Sequence, residues 1–262
     1  MKKSNLLTLF LIVFLDLIGI GIMIPVLAPL MLAPGGDLVP TLWTEATRNI
    51  VLGVLVATYP LAQFFGAPIL GTLSDRYGRK RMLILSLIGT LIGYLLFAYA
   101  LFTSQLWLLF FSRALDGFTG GNIGVANSAI ADMSTNENRA KNFGLIGMAF
   151  GFGFVIGPTL GGLLANPDLV SWFGPAVPFL FAALLSCLSL ALLTISFKET
   201  LTQATHQRVH PFMGFEHIAK SFKMPALRTI FLVVFLHALG FAFYTQFMPV
   251  FLVQKFAMSP TQ

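Results

Sequence analysis

The decapeptide Gly71-Thr72-Leu73-Ser74-Asp75-Arg76-Tyr77-Gly78-Arg79-Lys80 is wedged between two apolar stretches, Ile50 to Leu73 and Met82 to Phe102. Each flank holds the roughly 20 residues a helix needs to cross about 30 Å of hydrocarbon. Two spanning helices joined by so short and charged a turn form a hairpin with its tip in water. Arg76, Arg79, Lys80 and Arg81 crowd that tip, and membrane proteins keep such clusters on the cytoplasmic side. The chain is therefore read as an all-α transmembrane protein with a defined sidedness.

Composition supports this. Apolar residues make up 56% of the chain and charged residues 10%, against roughly 25% charged in a soluble domain. The apolar runs do not alternate with polar residues, as barrel strands would. Seven spans are expected, at Leu6–Leu32, Ile50–Leu73, Met82–Phe102, Leu106–Ile130, Asn142–Ala165, Trp172–Phe197 and Thr229–Val253. Most of the sixteen Lys and Arg then fall on one side: Lys2 and Lys3, the hairpin tip, Arg139 and Lys141, and the five cations from Lys198 to Arg228. That bias places the N-terminus in the cytoplasm. It also accounts for the net charge of +6 without nucleic acid. The first run follows two lysines but is too long for a signal peptide and contains Asp16, so it is read as a retained span.

The stretch Lys198–Arg228 is the longest polar segment. It divides the chain into a six-helix bundle (1–197), a cytoplasmic linker (198–228) with an amphipathic piece near Phe215–Phe222, and the first helix of an incomplete second bundle (229–262). The outer loop from Ala33 to Asn49 is rich in Pro and Gly. Pro68-Ile69-Leu70-Gly71-Thr72-Leu73, at the inner end of the second span, is similar to Pro158-Thr159-Leu160-Gly161-Gly162-Leu163, at the outer end of the fifth. Repeats of opposite orientation, three helices each, build many transporter bundles.

Three ionisable residues lie inside spans: Asp16, Arg113 and Asp116. Such groups are expensive in hydrocarbon and mark functional sites. Counting from the span ends puts all three near midplane, with Arg113 and Asp116 three apart on one helical face. Arg113 can satisfy Asp116 locally as a structural pair. Asp16, on a separate helix, is the better proton carrier. The single cysteine, Cys187, cannot form an internal disulfide and is expected to be a small buried hydrophobe. No phosphate-cradling loop, nucleophile–base pattern, haem or metal spacing is present. An enzyme, a cofactor and ATP hydrolysis are not expected, and an ion gradient is the energy source.

The hairpin string resembles the motif G-x-L-x-D-R-x-G-R-K of the major facilitator superfamily. By that resemblance Gly71, Asp75, Gly78 and Arg79 form a cytoplasmic gate, with Asp75 and Arg79 in a clasp that draws on a helix of the second bundle. Asp16-Leu17-Ile18-Gly19-Ile20-Gly21 with Pro25-Val26-Leu27-Ala28-Pro29 looks like the first-helix motif of drug:proton antiporters. Arg113 to Asn122 resembles their fourth-helix motif, whose arginine is implicated in proton transfer. Gly144, Gly153, Gly157, Pro158, Gly161 and Gly162 match the fifth-helix pattern associated with exporters.

Ile130-Ala131-Asp132, Arg139 to Gly144, Phe150 to Gly153 and Gln63-Phe64-Phe65-Gly66 look like the bacterial tetracycline exporters, in which the glutamine is thought to face the substrate path. Gln63 could equally serve as a helix–helix hydrogen bond. Asn122, and on the seventh span His237, Tyr244 and Gln246, are further path candidates. The resemblance departs at Gly93, where those exporters carry an acidic residue, which leaves the substrate open between tetracycline and another amphipathic drug. It implies proton-coupled efflux across the bacterial inner membrane, with protons, a small-molecule drug, the bilayer and a C-terminal bundle as partners. The chain would cover about the first 60% of a family member, as a truncated or split product. A non-transporting membrane partner, a relic fragment and a uniporter of the same fold are the alternatives.

Overall fold

The structure is a computed structural model that describes residues 2–32, 38–40, 42–204, 210 and 212–256. Residues 33–37, 41, 205–209, 211 and 257–262 lie outside the described residues. Among the described residues ten helices follow in order: α1 (Lys2–Ile22), α2 (Ile24–Leu32), α3 (Glu45–Tyr77), α4 (Arg79–Phe102), α5 (Leu106–Thr119), α6 (Asn122–Met133), α7 (Arg139–Leu164), α8 (Val177–Ser196), α9 (Met213–Phe222) and α10 (Pro225–Phe256). Among the described residues there is no strand.

Two expected spans are broken. The first divides at Met23, where Pro25 has no N–H to continue the ladder and instead occupies the first turn of α2, where none is needed. The fourth divides at Gly120 and Gly121, which make a tight turn before Val125 resumes bonding to the Gly121 carbonyl. Neither α5 nor α6 is long enough alone to cross a membrane. Six helical stretches meet that criterion among the described residues: Ser4–Leu32, α3, α4, α7, α8 and Leu227–Leu252. The sixth span starts at Val177, later than expected, because Pro167 and Pro175 lie in the turns before it.

Packing follows an exchange rule. The closest helix pairs are α1 with α7 and α3 with α5, followed by α4 with α5, α4 with α8 and α1 with α8. Exchanging α1, α3 and α4 with α5–α6, α7 and α8 converts each of these pairs into another of the set, or into itself. That is the pairing two inverted three-helix repeats require. Both main crossings use glycine. On α7, Gly153, Gly157 and Gly161 abut α1, and a Cβ on Gly157 would stand 2.8 Å from the Cα of Gly21. On the exchanged pair, Gly66 of α3 abuts the Phe118 carbonyl and Gly117 of α5 abuts that of Tyr59. Small residues let helix backbones approach where lipid offers no hydrophobic drive. Gly162 is buried, whereas Gly144 faces open space. The six-residue motif on α7 is therefore not one packing stripe.

Two apolar clusters fill the bundle. The outer one includes Ile22, Met31, Phe97 and Phe179, with Phe97 and Phe179 stacked at 4.0 Å. The inner one includes Leu9, Ile12, Leu83, Leu87 and Val125. Cys187 is exposed, not buried as expected. It shares the outer surface of α8 with Leu184, Leu188 and Ile195. A helix in lipid is apolar all round, so its sequence does not separate the inner face from the outer.

Gly157→Val should overpack the α1–α7 crossing and lower stability by about 1–3 kcal/mol. Gly144→Ala should leave it within about 0.5 kcal/mol. Thermal unfolding of both variants in detergent checks the contrast, and equal losses would contradict the packing described.

Candidate functional site

The ionisable residues occupy the level between the two apolar clusters. Asp16 is 6% exposed, Arg113 5% and Asp116 2%. Arg113 and Asp116 lie one turn apart on α5, and Nη1 of Arg113 donates to Oδ2 of Asp116 at 3.1 Å. The same nitrogen lies 2.9 Å from Sδ of Met23, and the guanidinium stacks over the Tyr59 ring at 4.6 Å. A buried charge needs a partner, and here it also has an aromatic face. Asp16 differs. No cation lies within ion-pair distance of it among the described residues. Its neighbours are Asn122 and, within charge-interaction range, Asp116.

The structure thus brings Asp16 to Asp116 and Arg113 to Asp116, but does not pair Asp16 with Arg113. Gly93, where the resemblance departs, lies against this group. A Cβ there would stand 2.7 Å from Cβ of Asp116. The fourth span therefore brings a carboxylate to the position on the third helix that lacks one.

A cavity of about 990 Å³ opens beside this level. Ile20, Leu27, Leu52 and Val56 form its bundle wall, Phe243 and Phe247 of α10 face them, and Tyr59 and Arg113 supply polar groups. By the expected topology it lies in the outer half of the bilayer. Gln63, Asn122, His237 and Tyr244 are not among its lining residues, and the Gln246 side chain lies outside the described residues. Gln63 instead donates to the Gly120 carbonyl at 2.6 Å and to the Tyr59 hydroxyl at 3.3 Å. It is a helix–helix bond that pins the break between α5 and α6. Among the described residues no group of three His, Cys, Asp or Glu is placed to hold a metal.

The hairpin tip forms a second assembly. Arg79 is buried at the start of α4. It pairs with Asp75, one turn earlier in sequence, at 2.5 Å, with Asp132 at 3.0 Å, and with the Ser74 hydroxyl at 2.6 Å. Asp132, at the end of α6, is a partner that sequence reasoning missed. It appears in the exporter-like string but stands 53 residues from Arg79. All these partners belong to the first bundle, whereas the expected clasp draws on the second. Gly71 faces open space.

Gly78 has φ +105°, a backbone shape that favours glycine, and a Cβ there would stand 2.5 Å from the Glu199 carboxylate. Glu199 accepts from the backbone N–H groups of Arg79 (2.9 Å) and Lys80 (3.0 Å), at the N-terminus of α4, and from Thr200 and Leu201. Helix N-termini attract such anions. Lys80 reciprocates, donating through Nζ to the Thr194 and Phe197 carbonyls at the end of α8. Partial burial works against the Glu199 charge, but the four N–H donors outweigh it and hold the carboxyl below its ordinary value of 4.5.

A carboxylate with a lowered folded-state pKa contributes its full stability above its unfolded value and loses it as pH falls through the folded one. The stability gap between wild type and Glu199→Gln should therefore be constant above about pH 4.5 and close as pH falls further. Thermal midpoints over an acid series check this, and a gap unchanged at low pH would remove the clamp.

The family model of the Major Facilitator Superfamily matches residues 9–262. The chain is 41% identical to the class H tetracycline resistance protein of Pasteurella multocida, over 76% of this chain and 46% of that protein. It is 38% identical to the class C tetracycline resistance protein of Escherichia coli, over 89% of this chain and 56% of the relative. The solved structure of the human organic anion transporter MFSD10 (TETRAN) superposes with a TM-score of 0.73 at 22% identity, covering 98% of this chain and 67% of that one. The chain spans about half the length of the curated relatives it matches. Broken spans, exchange-related packing, an ion-paired hairpin and a family match over nearly the whole sequence converge: this chain belongs to the Major Facilitator Superfamily.

Proposed function

We propose that the chain supplies the first bundle of an exporter that moves a small amphipathic drug out of a bacterial cell in exchange for protons, with tetracycline as one candidate. The observation that carries the reading is Asp16. It is buried at mid-membrane without a cation partner, while the neighbouring carboxylate is neutralised by Arg113. A carboxylate so placed binds and releases a proton at least electrostatic cost when the conformation changes its access to water. Relatives that are tetracycline resistance proteins support a drug as cargo. The apolar cavity beside Arg113 suits an amphipathic molecule.

Residues 1–197 form the bundle, 198–228 the cytoplasmic linker and 229–262 the start of the second bundle. The protein resides in the bacterial inner membrane with its N-terminus in the cytoplasm. The apolar residues of α10, among them Val233, Phe235, Leu236 and Leu239, are exposed. A C-terminal bundle is the partner that would cover one side of it. Asp75, Gly78 and Arg79 close the cytoplasmic side and Gly71 meets the second bundle there. Asn122 acts on Asp16, not on the substrate path.

In inverted membrane vesicles from cells expressing the gene, a proton gradient should drive tetracycline uptake that a protonophore abolishes. Asp16→Asn should cut gradient-driven uptake by about 100-fold or more yet leave the protein inserted at wild-type levels. Uptake by Asp16→Asn that matches wild type would sink proton exchange through this residue.

A further inference from the structure

Two polar side chains at the charged level have no hydrogen-bond partner. The Tyr94 hydroxyl and Nδ2 of Asn122 are both buried and both unpartnered, on residues 1% and 2% exposed. Folded proteins seldom leave such groups unsatisfied. Both lie in the neighbourhood of Asp16. Asn122, from α6, stands beside its carboxylate, within loose hydrogen-bonding reach but without the geometry of a formed bond. Tyr94, from α4, reaches over Gly19, which is one turn beyond Asp16 on the same face of α1. A Cβ on Gly19 would stand 2.7 Å from the Tyr94 hydroxyl. Tyr94 lies within charge-interaction range of both Asp16 and Asp116.

The donor set decides what fits between them. An amide nitrogen only donates, an ionised carboxylate only accepts, and a phenol does either. A metal cation would face the amide hydrogens, and a halide would face the carboxylate. Water satisfies all three, because it accepts from Asn122, exchanges a bond with Tyr94 and donates to Asp16. We propose that Asp16, Tyr94 and Asn122 form a buried water site. Tyr94 and Asn122 are positioning residues that hold a proton-carrying water on Asp16. The inference rests on the reading of Asp16 as the exchanging carboxylate.

Other titratable groups bearing on Asp16 are few. Arg113 and Asp116 come from α5 and Tyr59 from α3. On α7 the ionisable residues Arg139 and Lys141 lie at the cytoplasmic end, α8 carries only the exposed Cys187, and α2 carries none. Thr90, from α4, stands beside Asp116. The water on Asp16 is therefore set by Tyr94 and Asn122, with Asp116 as the neighbouring charge.

The test uses the whole chain in lipid nanodiscs, with water itself as the probe. In pH-difference infrared spectra, Asp16→Asn should remove one carboxyl band. Tyr94→Phe and Asn122→Leu should each shift that band, and Asn122→Ser, which can still donate to water, should restore most of its position. Tyr94→Phe removes one oxygen and no packing, so its stability is a second readout. A hydroxyl bonded to water predicts a thermal midpoint lower by about 2–4 °C. A hydroxyl with nothing to bind predicts a midpoint equal to or above wild type, which overturns the site. A band that stays in place in both Tyr94→Phe and Asn122→Leu overturns it too. Should Asp16→Asn remove no band, proton exchange at Asp16 fails on its own account, and the Tyr94→Phe midpoint still decides the water site.

Discussion

The ion pair between Arg113 and Asp116 sets the terms for everything around it. Two charges placed in low dielectric are tolerable only when they neutralise each other with good geometry. Spacing of one turn on a single helix gives that pairing before any tertiary contact forms. Asp16 is then left as the carboxylate whose charge no neighbour cancels. The pair also dictates its surroundings. Tyr59 offers its ring to the guanidinium, Gly93 leaves room for the Asp116 side chain, and the two apolar clusters close above and below.

Close helix approach does the rest. The α1–α7 crossing brings Asp16 to its depth, and the exchange-related α3–α5 crossing does the same for Tyr59 and Arg113. Each relies on backbone meeting backbone at a glycine. At the hairpin end a different logic holds. There Glu199 and Lys80 bind the ends of helices in opposite senses, anion to N-terminus and cation to C-terminal carbonyls. The helix crossings within the bundle are steric, whereas the contacts at the hairpin end are electrostatic.

What was legible in the sequence was local. The apolar runs gave the spans, the family resemblance pointed to Asp75–Arg79, and the i,i+3 spacing gave Arg113–Asp116. The glycine and proline pattern on the fifth span marked a close crossing, though not which glycines make it. What depends on assembly was hidden. Asp132 meets Arg79 and Glu199 meets the hairpin only because the bundle closes, across 53 and 120 residues of chain. The break at Gly120 has the hydroxyl of Tyr59 and the amide of Gln63 pressed against it. The outward face of Cys187 could not be read from a helix that is apolar on every side. Asn122 is buried beside Asp16 because α6 restarts at that residue.

The measurement that tests the central claim most directly is a double-mutant cycle on Arg113 and Asp116, read as unfolding free energy in detergent. If the pair neutralises itself, Arg113→Gln and Asp116→Asn should each lose about 3–5 kcal/mol, because each strands a buried charge. The double variant should lose less than either one. Losses that simply add would mean that the two charges are stabilised independently, and that Asp16 is not the sole uncompensated carboxylate, which would remove the ground for the proposed proton exchange.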